Sequence, residues 1–144
     1  MRRALVYIAC GVVFGMAGLV LAQQALGPKQ PRPTGIKTLM DQALNETVNG
    51  KPGRIVLVEL KEAPQAASKP HRHPGPVIGY VLEGELEVQV DNGPVKRYQR
   101  GDVWFEPARA LHRVNRNPSK TKPARFLAFM LLTQDDHQLV LPPH

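Results

Sequence analysis

The sequence predicts an all-β fold, a sandwich or barrel, on three observations. Short β-branched or alternating segments recur from Arg54 to Leu132, turn residues separate them at close spacing, and no convincing helix stands between them. Without crossover helices, a parallel α/β sheet is excluded. The 144 residues suffice for one domain with extra segments.

The segments run in order. Ile55 to Leu60 (IVLVEL) is short and β-branched, and Val77 to Leu82 (VIGYVL) follows it. Glu85 to Val90 alternates strictly: Leu86, Val88 and Val90 on one face, Glu85, Glu87 and Gln89 on the other. Asp91-Asn92-Gly93 reads as a hairpin turn, after which Val95 to Tyr98 returns. Gly101-Asp102 marks a further turn before Val103-Trp104-Phe105, and Leu111 to Val114 and Phe126 to Leu132 complete about seven or eight strands. Leu57, Val81, Leu86, Val88, Trp104, Phe105, Phe126 and Phe129 are the candidate core. Lys37 to Glu46 is open to two readings. Leu39, Met40, Ala43 and Leu44 fit a helical face, yet Asn49-Gly50 and Pro52-Gly53 just beyond suit a strand running into a turn.

The N-terminus differs from the rest. Met1-Arg2-Arg3 is basic, and Ala4 to Ala22 then runs without a charge or a proline. Val20-Leu21-Ala22 ends on a small residue, as a signal-peptidase site requires. A cleaved secretory signal is the first reading; an uncleaved anchor is the rival, because the run nearly spans a bilayer. Two arginines before the run and none just after it put the following domain outside the cytoplasm either way. It would be periplasmic or secreted, or tethered to the membrane through residues 4–22 alone. A buried core helix is disfavoured by the missing polar face and by Gly11, Gly15 and Gly18. Cys10 is the only cysteine, so cleavage after Ala22 leaves neither a disulfide nor a thiolate ligand. Residues 23–36, rich in proline and glycine, read as a linker ahead of a barrel over 37–144 that ends in a short C-terminal tail.

The formal net charge is +7, with late basic residues at Arg109, Arg113, Arg116, Lys120, Lys122 and Arg125. No aromatic is interleaved among them before Phe126, which argues against nucleic acid as a partner. A solvated loop, or weak attraction to an anionic surface or ligand, accounts for the charge.

His71-Arg72-His73 places two imidazoles at i and i+2, on one face of an extended strand. Pro70, Pro74 and Pro76 keep that stretch extended. Neutral imidazoles bind zinc, iron, nickel or copper, so this pair is half a site. Further on, Gly101 leads through a strand and Pro107 to His112.

Here the chain resembles the cupin family. Its first motif is usually G-x5-H-x-H-x3,4-E-x6-G and its second G-x5-P-x-G-x2-H-x3-N. His71, His73 and Gly84 match the first; Gly101, Pro107 and His112 match the second, over about residues 53 to 132. The departures are as informative. Val77 stands where the first-motif glutamate is usual, and Gln65 where its opening glycine is usual. Arg109 takes the place of the second-motif glycine and Arg116 that of its asparagine, with Asn115 and Asn117 on either side. Glu83 shares the strand parity of Val77 but lies roughly 20 Å along the chain, too far to substitute. Glu106, before His112, is read as approaching the rim at most, and Arg109 as a turn residue able to meet an anionic substrate.

The resemblance implies a double-stranded β-helix (jelly roll) whose early segment from Lys37 to Leu44 is an edge strand. It implies a homodimer. It also implies a divalent metal on His71, His73 and His112, iron first, with nickel, manganese, zinc or copper as alternatives. A three-histidine set has no ligand charge and leaves positions open for water, dioxygen or a small-molecule substrate, similar to the three-histidine iron dioxygenases of the family. Two other functions stay open: a non-catalytic module for a small ligand or metal, and a metal-free interaction barrel. His137 and His144 read as solvated tail.

Overall fold

The computed structural model describes residues 35–144. The apolar run of the signal-or-anchor reading, and all but the last residues of the linker, lie outside them. Among the described residues every regular element is a strand: β1 (Gly35–Val48), β2 (Lys51–Glu62), β3 (His71–Arg72), β4 (Val77–Glu83), β5 (Glu85–Val90), β6 (Lys96–Gln99), β7 (Val103–Glu106), β8 (Leu111–Arg116) and β9 (Ala124–Thr133). They form two antiparallel sheets, one ordered β1-β2-β9-β4-β7 and the other β3-β8-β5-β6. This is the jelly roll.

Asn49 and Gly50, with φ of 51° and 74°, make the tight turn between β1 and β2. That turn carries the paired φ > 0 residues that suit a two-residue hairpin. It settles the ambiguous segment as an edge strand, and β1 lies largely exposed along its length.

Strand parity builds the core. On β9 the residues Ala124, Phe126, Ala128, Met130 and Leu132 all turn inward, alternating with half-buried neighbours. Val56 and Val58 of β2 and Val77 of β4 meet one end of this row; Val81, Leu86, Val88 and Trp104 meet the other. Five of the eight core candidates are therefore core. Leu57, Phe105 and Phe129 are not: they lie on the opposite face, where the register aligns Leu57 with Phe129, Phe129 with Ile78, and Ile78 with Phe105. Phe105 is 58% exposed. Bulk suggested the interior for these three, but each is one residue out of step with an inward neighbour, and a one-residue shift changes the face.

One glycine in this sheet positions a site residue. Gly79 sits directly opposite Trp104, and a β-carbon there would overlap the indole ring. The bare glycine makes room for the Trp104 ring against β4, tilted against Tyr98 and Phe126 with ring centroids 5.6 Å from each.

Candidate metal centre

The three motif histidines converge because of the register between β3 and β8. His71 is the direct cross-strand partner of His112, so both side chains leave the same face of the smaller sheet. His73 follows two residues after His71 and returns to that face. One nitrogen from each of the three lies within 4.8 Å of the others, with His73 and His112 buried and His71 half-buried.

Main-chain carbonyls orient two of the rings. His71 Nδ1 donates to the Lys69 carbonyl at 2.7 Å, and His73 Nδ1 donates to the Leu139 carbonyl at 2.6 Å. Burial holds both imidazoles below their ordinary pKa, which favours the neutral ring. With each proton committed to Nδ1, each Nε2 carries a lone pair, and the two Nε2 atoms face one another at 3.2 Å. Two lone pairs at that distance repel unless a cation lies between them. His112 adds to the case: both of its ring nitrogens are buried without a hydrogen-bond partner. Orphaned buried nitrogen on a preorganised imidazole is the signature of a ligand set, and the residues fit a divalent metal.

Glu106 is inside this site and not at a rim. It is 2% exposed and turns inward from the end of β7 beside Trp104, whose indole N–H donates to Oε1 at 2.9 Å. Oε2 comes to 3.1 Å from His112 Nδ1 and 3.9 Å from His73 Nε2 without the alignment of a hydrogen bond. Burial pushes the Glu106 carboxyl up, but His112, the Trp104 N–H and His73 together outweigh it and hold the group below the usual carboxylate value.

Arg109 is exposed, and its side chain does not line the histidine cavity. Its main chain does support the site: Arg109 N–H donates to the His73 carbonyl at 2.9 Å, and Arg72 Nη1 donates to the Arg109 carbonyl at 2.5 Å. His137 and His144 are exposed and stand apart from the cluster.

The histidines line a cavity of about 940 Å³. Val58, Leu60, Phe126, Ala128 and Met130 form much of its wall. The segment from Gln138 to Pro143 also lines it, pinned by paired main-chain hydrogen bonds between Arg72 and Leu141 at 3.1 and 2.9 Å. It lies between His137 and His144, in the stretch expected to be a solvated tail. No signal marks it, because what it offers the site is a main-chain carbonyl, the Leu139 acceptor of His73.

The Cupin domain model matches residues 57–130, just over half of the chain. The chain belongs to the cupin family. Among curated proteins, the Oryzines biosynthesis cluster protein J of Aspergillus oryzae is 33% identical over 105 residues, which are 70% of this chain and 58% of that protein. The cupin chain thus spans less than two thirds of that relative's length. Among solved structures, a double-stranded β-helix protein from Klebsiella pneumoniae matches with a TM-score of 0.56 and 18% identity, covering 79% of this chain and 86% of its own. DMSP lyase DddQ from Ruegeria pomeroyi matches at 0.57 and 19%, over 76% and 51%. An oxalate oxidase matches at 0.52 and 22%, over 61% and 45%. At these identities the likeness is one of fold.

Proposed function

We propose that this cupin is an exported, metal-dependent enzyme of the dioxygenase type that acts on a small organic molecule. The observation that carries the reading is the pair of Nε2 lone pairs facing each other at 3.2 Å, set with His112 in the lining of one cavity. His71, His73 and His112 would hold the metal, iron first among the candidates, and when bound it supplies a Lewis-acidic, redox-capable centre. The carbonyls of Lys69 and Leu139 keep two of the imidazoles aimed at it. Walls of Val58, Leu60, Phe126 and Met130 suit a substrate with an apolar body and one oxygen-bearing head.

Export rests on the apolar run from Ala4 to Ala22 and on the lack of any cysteine after Cys10. Self-association rests on the outer face of the larger sheet, where Ile78, Tyr80, Val103 and Phe105 lie exposed together. One preparation tests the whole reading. Protein recovered from outside the cytoplasm should sediment as a dimer, carry metal, and consume oxygen with at least one member of a panel of small apolar acids, phenols and ketones once loaded with iron(II). Tightly held metal with no oxygen uptake across that panel would make it a binding module instead. Protein that takes up no divalent metal at all would sink the enzyme.

A further inference from the structure

The site holds a charged group that a three-histidine set does not use. Glu106 and Val77 are direct cross-strand partners on β7 and β4, and both turn inward. Directly opposed residues of an antiparallel pair present their side chains to the same face, a few ångströms apart. A glutamate on β7 therefore reaches the space that Val77, with its short apolar side chain lining the cavity, leaves open. Trp104 fixes one carboxylate oxygen, and the other is left buried, unbonded, and aimed between His112 and His73. A buried carboxylate oxygen without a donor is unfavourable unless a cation completes it.

We infer that Glu106 is a fourth metal ligand, presented from β7 in place of a carboxylate on β4. The inference rests on the metal reading above. Three neutral imidazoles and one carboxylate give a divalent ion a net charge of +1, and the hard oxygen suits iron(II) or manganese(II) better than three imidazoles alone would. Gly79 and Trp104 then have a role in the site. The glycine makes room for the indole, and the indole N–H holds Oε1 so that Oε2 faces the histidines.

The test is manganese(II) binding, read by electron paramagnetic resonance on the metal-free full chain as the free-ion signal is titrated. Wild type, Glu106→Gln, Glu106→Asp and the double variant Val77→Glu/Glu106→Gln are compared. Glu106→Gln should weaken binding by about 100-fold or more, beyond the usual loss for a residue that only orients a ligand. The double variant moves the carboxylate back across the strand pair and should regain most of that loss. Glu106→Asp keeps the charge on a shorter arm and should fall between, which keeps the test alive if the glutamine variant does not fold. If wild type binds manganese and Glu106→Gln binds it within about threefold, Glu106 is no ligand while the histidine site stands. A loss that Val77→Glu does not restore makes Glu106 a positioning residue for His112 and equally overturns direct ligation. Wild type that binds no metal removes the metal reading itself.

Discussion

Glu62 closes β2 and Glu106 closes β7, and each turns inward in step with core residues before it, Val58 in one strand and Trp104 in the other. Each is followed three residues later by an exposed non-glycine residue at φ 60°, Gln65 after Glu62 and Arg109 after Glu106. Their neighbours then separate them. Glu62 meets carboxamides: Asn115 Nδ2 donates to Oε1 at 3.2 Å, Oε2 has no hydrogen-bond partner, and burial pushes the carboxyl up to about 7. Glu106 meets imidazoles and an indole N–H, which outweigh the same burial and keep it ionised. Strand parity decides that a carboxyl is buried, and the groups across from it decide its charge.

The largest effect separates the two regions outright. His112→Ala should reduce bound metal to background, whereas Glu62→Gln should leave metal content at the wild-type value, both read by elemental analysis of purified protein. Loss of metal from Glu62→Gln would mean that the two glutamates belong to one network, and the contrast would collapse.

The next effect is on stability, and its sign follows from the raised pKa of Glu62. Below its ordinary 4.5 the group is protonated both folded and unfolded, and there is no buried charge to desolvate. Between 4.5 and about 7 the unfolded chain ionises while the folded chain keeps its proton, so stability falls as pH rises. The full deficit above that window is on the order of 3 kcal/mol. Glutamine at position 62 carries no such penalty. Urea unfolding of metal-free protein should therefore show Glu62→Gln gaining on wild type by about that amount between pH 4.5 and pH 8. A stability difference that stays level over this range would mean that Glu62 is ionised in the fold and has a partner.

Much of this arrangement was legible in the residues. The strictly alternating β5, the turns at Asn49-Gly50 and Asp91-Asn92-Gly93, and the i, i+2 histidines each have a local cause, and each stands where local chemistry puts it. Leu57, Phe105 and Phe129 have the bulk of core residues, but strand parity puts them on the opposite face. Parity would also have turned Glu106 inward, since it lies two residues from Trp104, and Glu62 likewise, four residues from Val58. What no pattern could reveal is contact between distant main-chain groups. Leu139 reaching His73 and Leu141 pairing with Arg72 depend on carbonyls and amides that every residue possesses.

The smallest effect concerns the two left-handed residues. Gln65 and Arg109 stand where the two family motifs usually carry glycine, and the backbone keeps φ at 60° at both places without it. A side chain in that conformation costs roughly 1 kcal/mol that glycine does not, offset in part by glycine's greater freedom when unfolded. Both residues are exposed, and the hydrogen bonds they make through their amides, Gln65 to Ser119 and Arg109 to His73, survive substitution. Gln65→Gly and Arg109→Gly should therefore each stabilise the fold by about 0.5 kcal/mol, and additively, because the two loops share no partner. Both substitutions keep the main-chain hydrogen bonds, Gln65 to Ser119 and Arg109 to His73, so manganese affinity should stay at the wild-type value in each variant. Denaturation midpoints and manganese titration of the two single variants and the double variant decide this. A fall in stability with Arg109→Gly would mean that the arginine side chain holds its own loop in place, and that strain at this position is not what distinguishes it from glycine.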